Sequence, residues 1–461
     1  MDIPTIVAQQ KIFYSTNQTR PLAFRLAQLK KLERAILAYT DQLYQAFEQD
    51  LHKSAFETYA TEIGYVLQSI RQTRKKLARW MRPKKAKNPT YLLGASSYSI
   101  FEPLGTVLII GPFNYPFQLV IEPLIGAIAA GNTVIIKPSE YTPHVTNVLK
   151  DMIHSIFEPE FVAVVPGAIE ETTTLLHQPV DHIFFTGSPA VGKIVMKAAS
   201  ERLVPVTLEL GGKSPAIVAQ SSDIQTAAEK IAWGKFLNAG QTCVAPDYVL
   251  VEETIAHDFT RELTLYLQKF YGLEPKESPD FGRLATEKHA SRFVDLLQHT
   301  TGKVILGGEI DAPSRYVAPT IVTELSFEDA LMQEELFGPV LPILTYRQSH
   351  FEQDVLHPIQ QREKPLALYL FTKEKKEEDL VLANLSFGGG VINDTLLHLT
   401  NEYLPFGGVG QSGMGHYHGH YSFLTFSHQK AIVKKRDLPK LSMLYPPYTD
   451  KKFALVKKFM K

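Results

Sequence analysis

The single cysteine of the chain, Cys243, is the residue best suited to nucleophilic chemistry. It stands in the segment 238–246 (NAGQTCVAP), where glycine and other small residues let a ligand approach the backbone closely. A thiol attacks as its thiolate and needs such access. The alternative is a structural cysteine, because a free cysteine most often packs as a small apolar side chain. The sequence marks Cys243 as a candidate nucleophile and leaves this alternative open.

Two polar side chains have the chemistry to assist such a nucleophile. Glu209 lies within the apolar run 206–210 (VTLEL), and a buried carboxyl has a raised pKa that suits a general base near neutral pH. Its alternative role is an ion pair with a cation such as Lys213. Asn114 follows a predicted strand, so that its amide can donate to an oxyanion. Its alternative role is to form a turn between two prolines.

Three further segments carry groups that can contact a dinucleotide. The turn 186–192 (TGSPAVG) precedes a predicted helix at 193–200, where backbone N–H groups can bind phosphate. It departs from the G-x-G-x-x-G fingerprint and also suits an ordinary tight turn. Lys137 and Glu140 follow another predicted strand and can bond ribose hydroxyls, or form a solvated charge pair. The acidic turn 334–339 (EELFGP) belongs to the same site or is an exposed loop.

Metal chemistry is not predicted. One cysteine cannot build a Cys/His zinc site. Histidines alternate at positions 416, 418 and 420, but their glycine-rich loop lacks acidic neighbours, so we expect a structural role for them. A serine nucleophile in a G-x-S-x-G elbow is also absent from the sequence.

The elements that must position these residues alternate between strand and helix from about residue 104. Residues 20–80 are predicted to be helical because apolar residues recur at steps of three and four. The basic stretch 83–89 is predicted to be a loop or short arm. The predicted strands are short, apolar and rich in β-branched residues; they lie at 106–111, 133–137, 161–165, 182–185, 216–218, 248–251, 340–346 and 366–371. This alternation predicts an α/β fold with parallel sheets.

Composition narrows the class of protein. The chain has 461 residues, of which 44% are hydrophobic, so that two or three domains are expected. Lys+Arg and Asp+Glu both number 48, a balance that argues against a nucleic-acid partner. The single cysteine and a start without signal-peptide character predict the reducing cytoplasm. The sequence contains no run approaching the roughly 18 apolar residues of a membrane span.

These segments, in this order, resemble the aldehyde dehydrogenase superfamily. Residues 208–214 (LELGGKS) match its glutamate signature and residues 240–243 (GQTC) its cysteine signature. Similar matches extend from residues 112–114 to 405–415 (PFGGVGQSGMG), and therefore cover most of the chain. Phe113 stands where many other members carry tryptophan, and with the chain length and short N-terminus it looks like the class 3, fatty-aldehyde-type branch.

The resemblance implies a fold and an activity. The implied fold is α/β, with a Rossmann-type NAD(P)-binding domain (1–84 and 104–211), a catalytic domain (212–405) and an oligomerisation arm with a C-terminal tail (85–103 and 416–461). The implied activity is oxidation of an aldehyde to a carboxylic acid, with NAD or NADP, by a cytoplasmic homodimer. Glu140 would repel a 2′-phosphate and favours NAD slightly, although this branch accepts both nucleotides.

The resemblance also assigns roles to residues. Cys243 would be the nucleophile, Glu209 the base that activates water, and Asn114 an oxyanion donor together with the Cys243 backbone N–H. Cofactor contacts would come from Lys137, Glu140, Gly187, Ser188, Gly192, Leu210, Glu335 and Phe337.

Alternatives remain for the activity and for the tail. An acyl hydrolase, a CoA-acylating enzyme or a binding protein on the same scaffold are the rival interpretations, and the presence of both Cys243 and Glu209 argues against the last. Membrane-anchored members of the branch end in a long hydrophobic tail, whereas this chain ends in residues 451–461 (KKFALVKKFMK). That segment suits a basic amphipathic helix at a membrane surface or, as we expect, a docked or frayed terminus without a stable anchor.

Overall fold

The computed structural model describes residues 2–92, 94–435 and 445–459. Its helices are α1 Ile3–Ser15, α2 Leu22–Ala38, α3 Thr40–Leu51, α4 Ala55–Thr58, α5 Gly64–Trp80, α6 Gln118–Ala130, α7 Pro143–Ile156, α8 Ile169–Leu176, α9 Pro189–Ser200, α10 Ile224–Phe236, α11 Ala256–Tyr271, α12 Glu287–His299, α13 His357–Gln360, α14 Lys375–Asn384, α15 His420–Thr425 and α16 Asp450–Phe459. Its strands are β1 Lys84–Ala86, β2 Ala95–Pro103, β3 Thr106–Ile110, β4 Thr133–Lys137, β5 Val162–Val164, β6 His182–Gly187, β7 Val206–Leu210, β8 Pro215–Val218, β9 Tyr248–Glu252, β10 Lys303–Leu306, β11 Ile310–Asp311, β12 Tyr316–Val317, β13 Thr320–Thr323, β14 Val340–Tyr346, β15 Ala367–Phe371, β16 Gly389–Ile392, β17 Gly413–Met414 and β18 Ser427–Lys435.

The N-terminal helices pack on the first sheet. The predicted helical region 20–80 is confirmed as α2 to α5, with a π-helical turn at Tyr59–Ile63. Helix α1 was not predicted, because its apolar residues form only a weak stripe. Asp2 caps it by accepting from the Thr5 N–H at 2.9 Å, a start signal that the sequence does contain. Gln10 then ties α1 to the sheet by donating to the Val134 carbonyl at 2.8 Å.

The first large sheet has the strand order β17-β7-β6-β3-β4-β5. Strands β3 to β7 are parallel, and the short β17 runs antiparallel to β7. The chain moves outward from β3 through β4 to β5, then returns to the other side of β3 with β6 and β7. This is the Rossmann-type order, in which ligands bind where the strand order reverses. The predicted α/β class with parallel strands is confirmed.

The second large sheet has the strand order β10-β13-β14-β9-β8-β15-β16, parallel except for β10. Residues 211–214 lead directly from the carboxyl end of β7 to the amino end of β8. The amino ends of β8 and β9 are adjacent, with Pro215 paired to Tyr248. The carboxyl edge of the first sheet therefore lies beside the amino edge of the second.

A smaller antiparallel sheet of order β1-β2-β18 joins residues near 90 to residues near 430. The basic stretch predicted as a loop or short arm contributes β1 to this sheet. Within the described residues, none of the helices combines the length and apolarity needed to cross a bilayer. Helix α16 is the amphipathic segment foreseen at the C-terminus, whereas Met460 and Lys461 lie outside the described residues, as do residues 436–444 of the predicted tail.

Candidate active site

The carboxyl edge of the first sheet collects several of the predicted site residues. Asn114 follows β3, Lys137 ends β4, Gly187 ends β6, and Glu209 is the penultimate residue of β7. Because β4, β3, β6 and β7 are parallel neighbours, these ends meet at one edge. Cys243 lies in the segment between α10 and β9, at the amino edge of the second sheet, and thus faces the same crevice.

The segment that carries Cys243 has an unusual backbone. Asn238 and Ala239 both adopt left-handed conformations, with φ of 53° and 51°, and Gly240 follows with φ of 76°. A side chain on Gly240 would lie 2.3 Å from the Gly338 carbonyl group, so this position requires glycine. The resulting turn leaves the Cys243 thiol half-buried and free of any disulfide, whereas its neighbours Gln241 and Thr242 are buried. The thiol is therefore not sealed in a core.

Asn114 is bonded to the cysteine segment. Its Nδ2 donates to the Gln241 carbonyl at 2.9 Å, and its own carbonyl accepts from Asn238 Nδ2 at 2.8 Å. The next residue, Tyr115, places its hydroxyl 2.7 Å from Thr242 Oγ1. These bonds tie the Asn114 amide to Gln241, which is two positions before Cys243 in the chain. One of the two amide N–H groups of Asn114 has no hydrogen bond to a described residue. The amide is more than the simple turn former of the alternative interpretation.

Glu209 is a buried carboxyl without a partner. It is 3% exposed, and neither of its oxygens has a hydrogen-bond partner among the described residues. Burial raises the pKa of Glu209 well above its ordinary value. The alternative pairing with Lys213 is wrong, because Lys213 Nζ lies 2.6 Å from Asp247 Oδ2. An unpaired carboxyl of raised pKa is suited to accept a proton from water near neutral pH.

A cluster of buried charges lies beside the end of β7, on the side of the second sheet. It consists of Lys213, Lys235, Asp247 and Glu335. Asp247 Oδ1 lies 3.6 Å from Lys235 Nζ and accepts from the Leu336 N–H at 3.1 Å. The bond from Leu336 holds the loop that carries Glu335. Burial raises the pKa of Glu335 to about 8 and lowers that of Lys235 to about 8. The sequence did not reveal this cluster, since its members are separated by up to 122 positions in the chain.

Glu335 reaches the end of β7 because Gly211 has no side chain. A Cβ at Gly211 would lie 1.9 Å from Glu335 Oε2. Gly211 thus leaves space that the Glu335 carboxyl occupies. This position is close to both Glu209 and Cys243. Burial first, then Glu335 and Glu209, raise the pKa of the Cys243 thiol. We therefore expect the thiol form of Cys243 to be favoured over the thiolate before substrate binds.

This electrostatic setting predicts how Cys243 reacts with iodoacetamide. Because only the thiolate is alkylated, the rate is expected to rise about tenfold for each pH unit across the neutral range. At pH 9, above the Glu335 pKa of about 8, Glu335→Gln removes a negative charge beside the thiol and should speed alkylation several-fold. The rate is measured by mass spectrometry of the peptide that contains Cys243.

Glu334→Gln is the matched control for this prediction. Glu334 is the adjacent acid, its side chain is 84% exposed, and it does not contribute to the raised thiol pKa. Its replacement should leave the alkylation rate within twofold of the unmodified protein. Equal acceleration by both variants would show that Glu335 does not act on the thiol.

The predicted nucleotide residues lie along the same edge. Lys137 is buried, its Nζ donates to the Pro138 carbonyl at 2.8 Å, and it lies 3.4 Å from Glu140 Oε2. Burial lowers the pKa of Lys137. Helix α9 starts at Pro189 rather than at the predicted residue 193, because Ser188 caps it and proline suits the first helical position.

Close packing at this helix brings Gly187 and Ser188 to the strand edge. Gly192 of α9 lies against Leu210 of β7, where an added Cβ would approach the leucine side chain to 2.8 Å. The helix N-terminus and the two strand ends form a crevice of the kind that accepts a dinucleotide phosphate. The residues present therefore fit such a cofactor.

Aromatic rings cover the far side of the crevice. Phe337, with φ of 50°, meets Phe113 edge-to-face at 5.8 Å. Phe113 in turn stacks on the His289 ring at 4.8 Å. His289 Nδ1 is buried without a partner among the described residues. Sequence reasoning missed His289, because an isolated histidine in a helix carries no local signal.

Two of the three histidines near residue 418 pack against aromatic rings. No cluster of metal-ligating side chains occurs in the part of the chain that the structure describes. His418 is buried and stacks on Phe406 at 5.1 Å, and His420 stacks on Phe423 at 6.0 Å. The structural role expected for these histidines stays a prediction.

Comparisons with known proteins agree with this geometry. The family model for the aldehyde dehydrogenase family matches residues 2–432. The 4,4'-diaponeurosporen-aldehyde dehydrogenase of Staphylococcus aureus is 52% identical, over 98% of this chain and 97% of that protein. The dimeric NADP-preferring aldehyde dehydrogenase of Mus musculus is 43% identical, over 97% of this chain and 98% of that protein.

Solved structures give the same result. A substrate-bound structure of Staphylococcus aureus AldH superposes with a TM-score of 0.97 and 51% identity, covering 100% of both chains. Relatives from mammals also include aldehyde dehydrogenase family 3 member A2, at 42% identity over 97% of this chain. The resemblance to the class 3 branch is thereby confirmed. The chain belongs to the aldehyde dehydrogenase family and is an NAD(P)-dependent enzyme that oxidises aldehydes.

Proposed function

We propose that the chain oxidises an aldehyde to a carboxylic acid through a thioester on Cys243, with Asn114 and Glu209 in separate roles. The observation that carries the proposal is the shared crevice, in which a half-buried thiol, a tethered amide and an unpaired carboxyl lie at adjoining edges of the two large sheets. Each group supplies one property that a thioester mechanism requires. The experiment that tests the proposal is trapping of the acyl group on the Cys243 sulfur in the Glu209→Gln variant, followed by mass spectrometry.

The first step is addition of sulfur to the carbonyl carbon. The Cys243 thiol gives up its proton to solvent water, its sulfur bonds to the aldehyde carbon, and the electron pair of the carbonyl π bond moves to the oxygen, which gains the negative charge. Asn114 Nδ2 and the Cys243 backbone N–H would donate to this oxyanion. The bond from Asn114 Nδ2 to the Gln241 carbonyl supports the proposal, because it holds the amide in position before substrate arrives.

Asn114→Ala is expected to lower kcat for aldehyde oxidation by about 10²–10³-fold, the usual cost of losing one oxyanion donor. KM and nucleotide affinity should change by less than about threefold, because the amide acts on charge that develops during the reaction. Steady-state kinetics with hexanal, decanal and benzaldehyde provide the measurement.

Gln118→Ala, at the start of α6 in the same segment, is the control. Its backbone N–H makes the structural contact, which alanine retains, so kcat should stay within about threefold. A loss below tenfold for Asn114→Ala would contradict the oxyanion role.

Nucleotide binding is proposed at the same edge of the first sheet. Lys137 and Glu140 would hold one ribose, Gly187 and Ser188 would lie beside the pyrophosphate with Gly192 and Leu210 packed behind them, and Glu335 would hold the second ribose near Phe337. The chemistry supplied by a bound nicotinamide is acceptance of the hydride that leaves the substrate carbon, so that a thioester remains. The mouse relative is named NADP-preferring, whereas the Glu140 carboxylate favours NAD, and we propose use of either nucleotide.

Hydrolysis of the thioester is the role of Glu209. The carboxylate removes a proton from water, the water oxygen bonds to the thioester carbon, and the bond from carbon to sulfur breaks. The products are the carboxylic acid and the restored Cys243. A thioester suits this step because thiolate leaves readily once water adds.

The division into domains and the assembly are also proposals. We propose that residues 1–84 and 104–211 bind nucleotide, that 212–405 carry the catalytic cysteine, and that 85–103 and 416–461 form the arm of a homodimer. The mouse relative is named dimeric. In the described part of the chain, the outer edge of β18 pairs with no strand, which leaves backbone groups free to join a second sheet.

A further inference from the structure

A cluster of buried charged side chains lies near the segments that carry Asn114 and Cys243. It consists of Lys53, Glu57 and Glu62, contributed by the loop after α3, by α4 and by the π-helical turn. The Lys53 side chain is 1% exposed; its Nζ lies 3.0 Å from Glu62 Oε1 and 4.0 Å from Glu57 Oε1. Buried ion pairs lose much of their attraction to desolvation, so that this cluster is a poor device for stability alone. Its contacts point to a second role.

One side of the cluster contacts the segment that follows Asn114. Glu62 Oε2 accepts from the Gln118 N–H at 2.7 Å. Lys53 Nζ lies 4.2 Å from the centre of the Tyr115 ring, within the range of a cation–π contact. The Tyr115 hydroxyl reaches Thr242, the residue before Cys243. The cluster therefore holds the residues on the C-terminal side of Asn114.

The segment that precedes Cys243 is tied to Asn114 by Asn238. Asn238 has a left-handed backbone, and its Nδ2 donates to both the Asn114 and the Gln241 carbonyls. The buried cluster thus contacts the segment after Asn114 directly and reaches the residue before Cys243 through Tyr115.

We propose that Lys53 is a positioning residue that keeps the Asn114 amide aligned with Cys243, acting through the Tyr115 ring and through Glu62. It does not touch the substrate. The proposal rests on the oxyanion role of Asn114 given above. Displacement of a catalytic group by about 1 Å can cost about 10²-fold in rate, so that loosening this support has a measurable consequence.

A double-mutant cycle tests the proposal. Lys53→Met is expected to lower kcat by about 10–100-fold. KM and NADP affinity should stay within about threefold of the unmodified protein. The substrate is the one of hexanal, decanal and benzaldehyde that the unmodified protein oxidises fastest. In an Asn114→Ala background the same change should cost less than about threefold, because the group that it positions is gone. Equal losses in the two backgrounds, or no loss in either, would overturn the proposal.

Two further variants separate positioning from stability. Lys53→Met/Glu62→Gln removes both charges, and the glutamine oxygen can still accept from the Gln118 N–H; it should fold where the single variant does not and show the same dependence on Asn114. Arg25→Met removes another buried cation, one whose hydrogen bonds to the described residues go to the Thr19 and Ala129 carbonyls. Its effect on kcat should be small and equal in both backgrounds, and a non-additive effect would mean that general loosening explains the Lys53 result.

The outcome also distinguishes this proposal from the proposed function. If Asn114→Ala alone costs less than tenfold, the oxyanion role fails and the Lys53 proposal fails with it. If Asn114→Ala costs about 10²-fold or more while Lys53→Met costs less than threefold, only the positioning role is wrong.

Discussion

Cys243→Ala is expected to abolish aldehyde oxidation, lowering kcat by about 10⁴-fold or more, the scale seen when a catalytic nucleophile is removed. Without the sulfur there is no thiohemiacetal and no thioester, and neither Glu209 nor Asn114 can replace it. Formation of reduced nicotinamide with NAD or NADP, followed by absorbance for short, long and aromatic aldehydes, provides the measurement.

The variant should remain folded and bind nucleotide. Cys243 is half-buried and has small neighbours, so that removal of one sulfur atom leaves the surrounding hydrogen bonds of Asn114 and Gln241 intact. Its thermal unfolding temperature should lie within a few degrees of that of the unmodified chain, and NADP affinity within about threefold. Loss of turnover together with loss of the fold would indicate a structural cysteine, and retained turnover would exclude Cys243 as the nucleophile.

Glu209→Gln is expected to have the second largest effect, a fall of about 10²–10⁴-fold in steady-state turnover, as is typical when a general base is removed. The amide cannot take a proton from water, so the thioester accumulates. The first turnover should still occur, and rapid mixing should show a burst of about one equivalent of reduced nicotinamide per site. An absent burst would place Glu209 before hydride transfer.

The pH dependence gives a further readout for Glu209. Burial raises its pKa, and the base works only when ionised, so that kcat should fall as pH drops through a value above the ordinary glutamate pKa of about 4.3. This acidic limb should disappear in Glu209→Gln. Glu252→Gln is the matched control. Glu252 is another buried carboxyl at a strand end, but its Oε2 already accepts a hydrogen bond from the Thr254 N–H at 2.9 Å. Its replacement should leave the limb in place.

The strands could be predicted because their chemistry is local. Residues in β3 and β4 are buried on both faces, and a continuous apolar run is the sequence consequence of that burial. The strand ends then locate Asn114 and Lys137 at one edge, since all parallel strands of a sheet end on the same side. The convergence of the catalytic segments was therefore accessible from sequence, with the resemblance to a known family to assign roles.

Partners of buried charges could not be predicted in the same way. Lys213 is four positions from Glu209, which suggested an ion pair, yet its Nζ lies 2.6 Å from Asp247 Oδ2, 34 positions further along the chain. Lys53 pairs with Glu62 and also supports Tyr115, which is far away in the chain. The ion-pair partner of a buried charge depends on which side chains the tertiary fold removes from water. The spacing of residues along the sequence does not contain this information.

The proposed mechanism requires a covalent bond between the substrate carbon and the Cys243 sulfur, and this bond can be trapped. Glu209→Gln is mixed with NADP and decanal, quenched in acid within the burst, and analysed by mass spectrometry as intact protein and as peptides. We expect one adduct per chain, heavier by the aldehyde mass less two hydrogens, on the peptide that contains Cys243 and removable by hydroxylamine. An unmodified Cys243 after a full burst of reduced nicotinamide, or an acyl group on another residue, would exclude a thioester on Cys243.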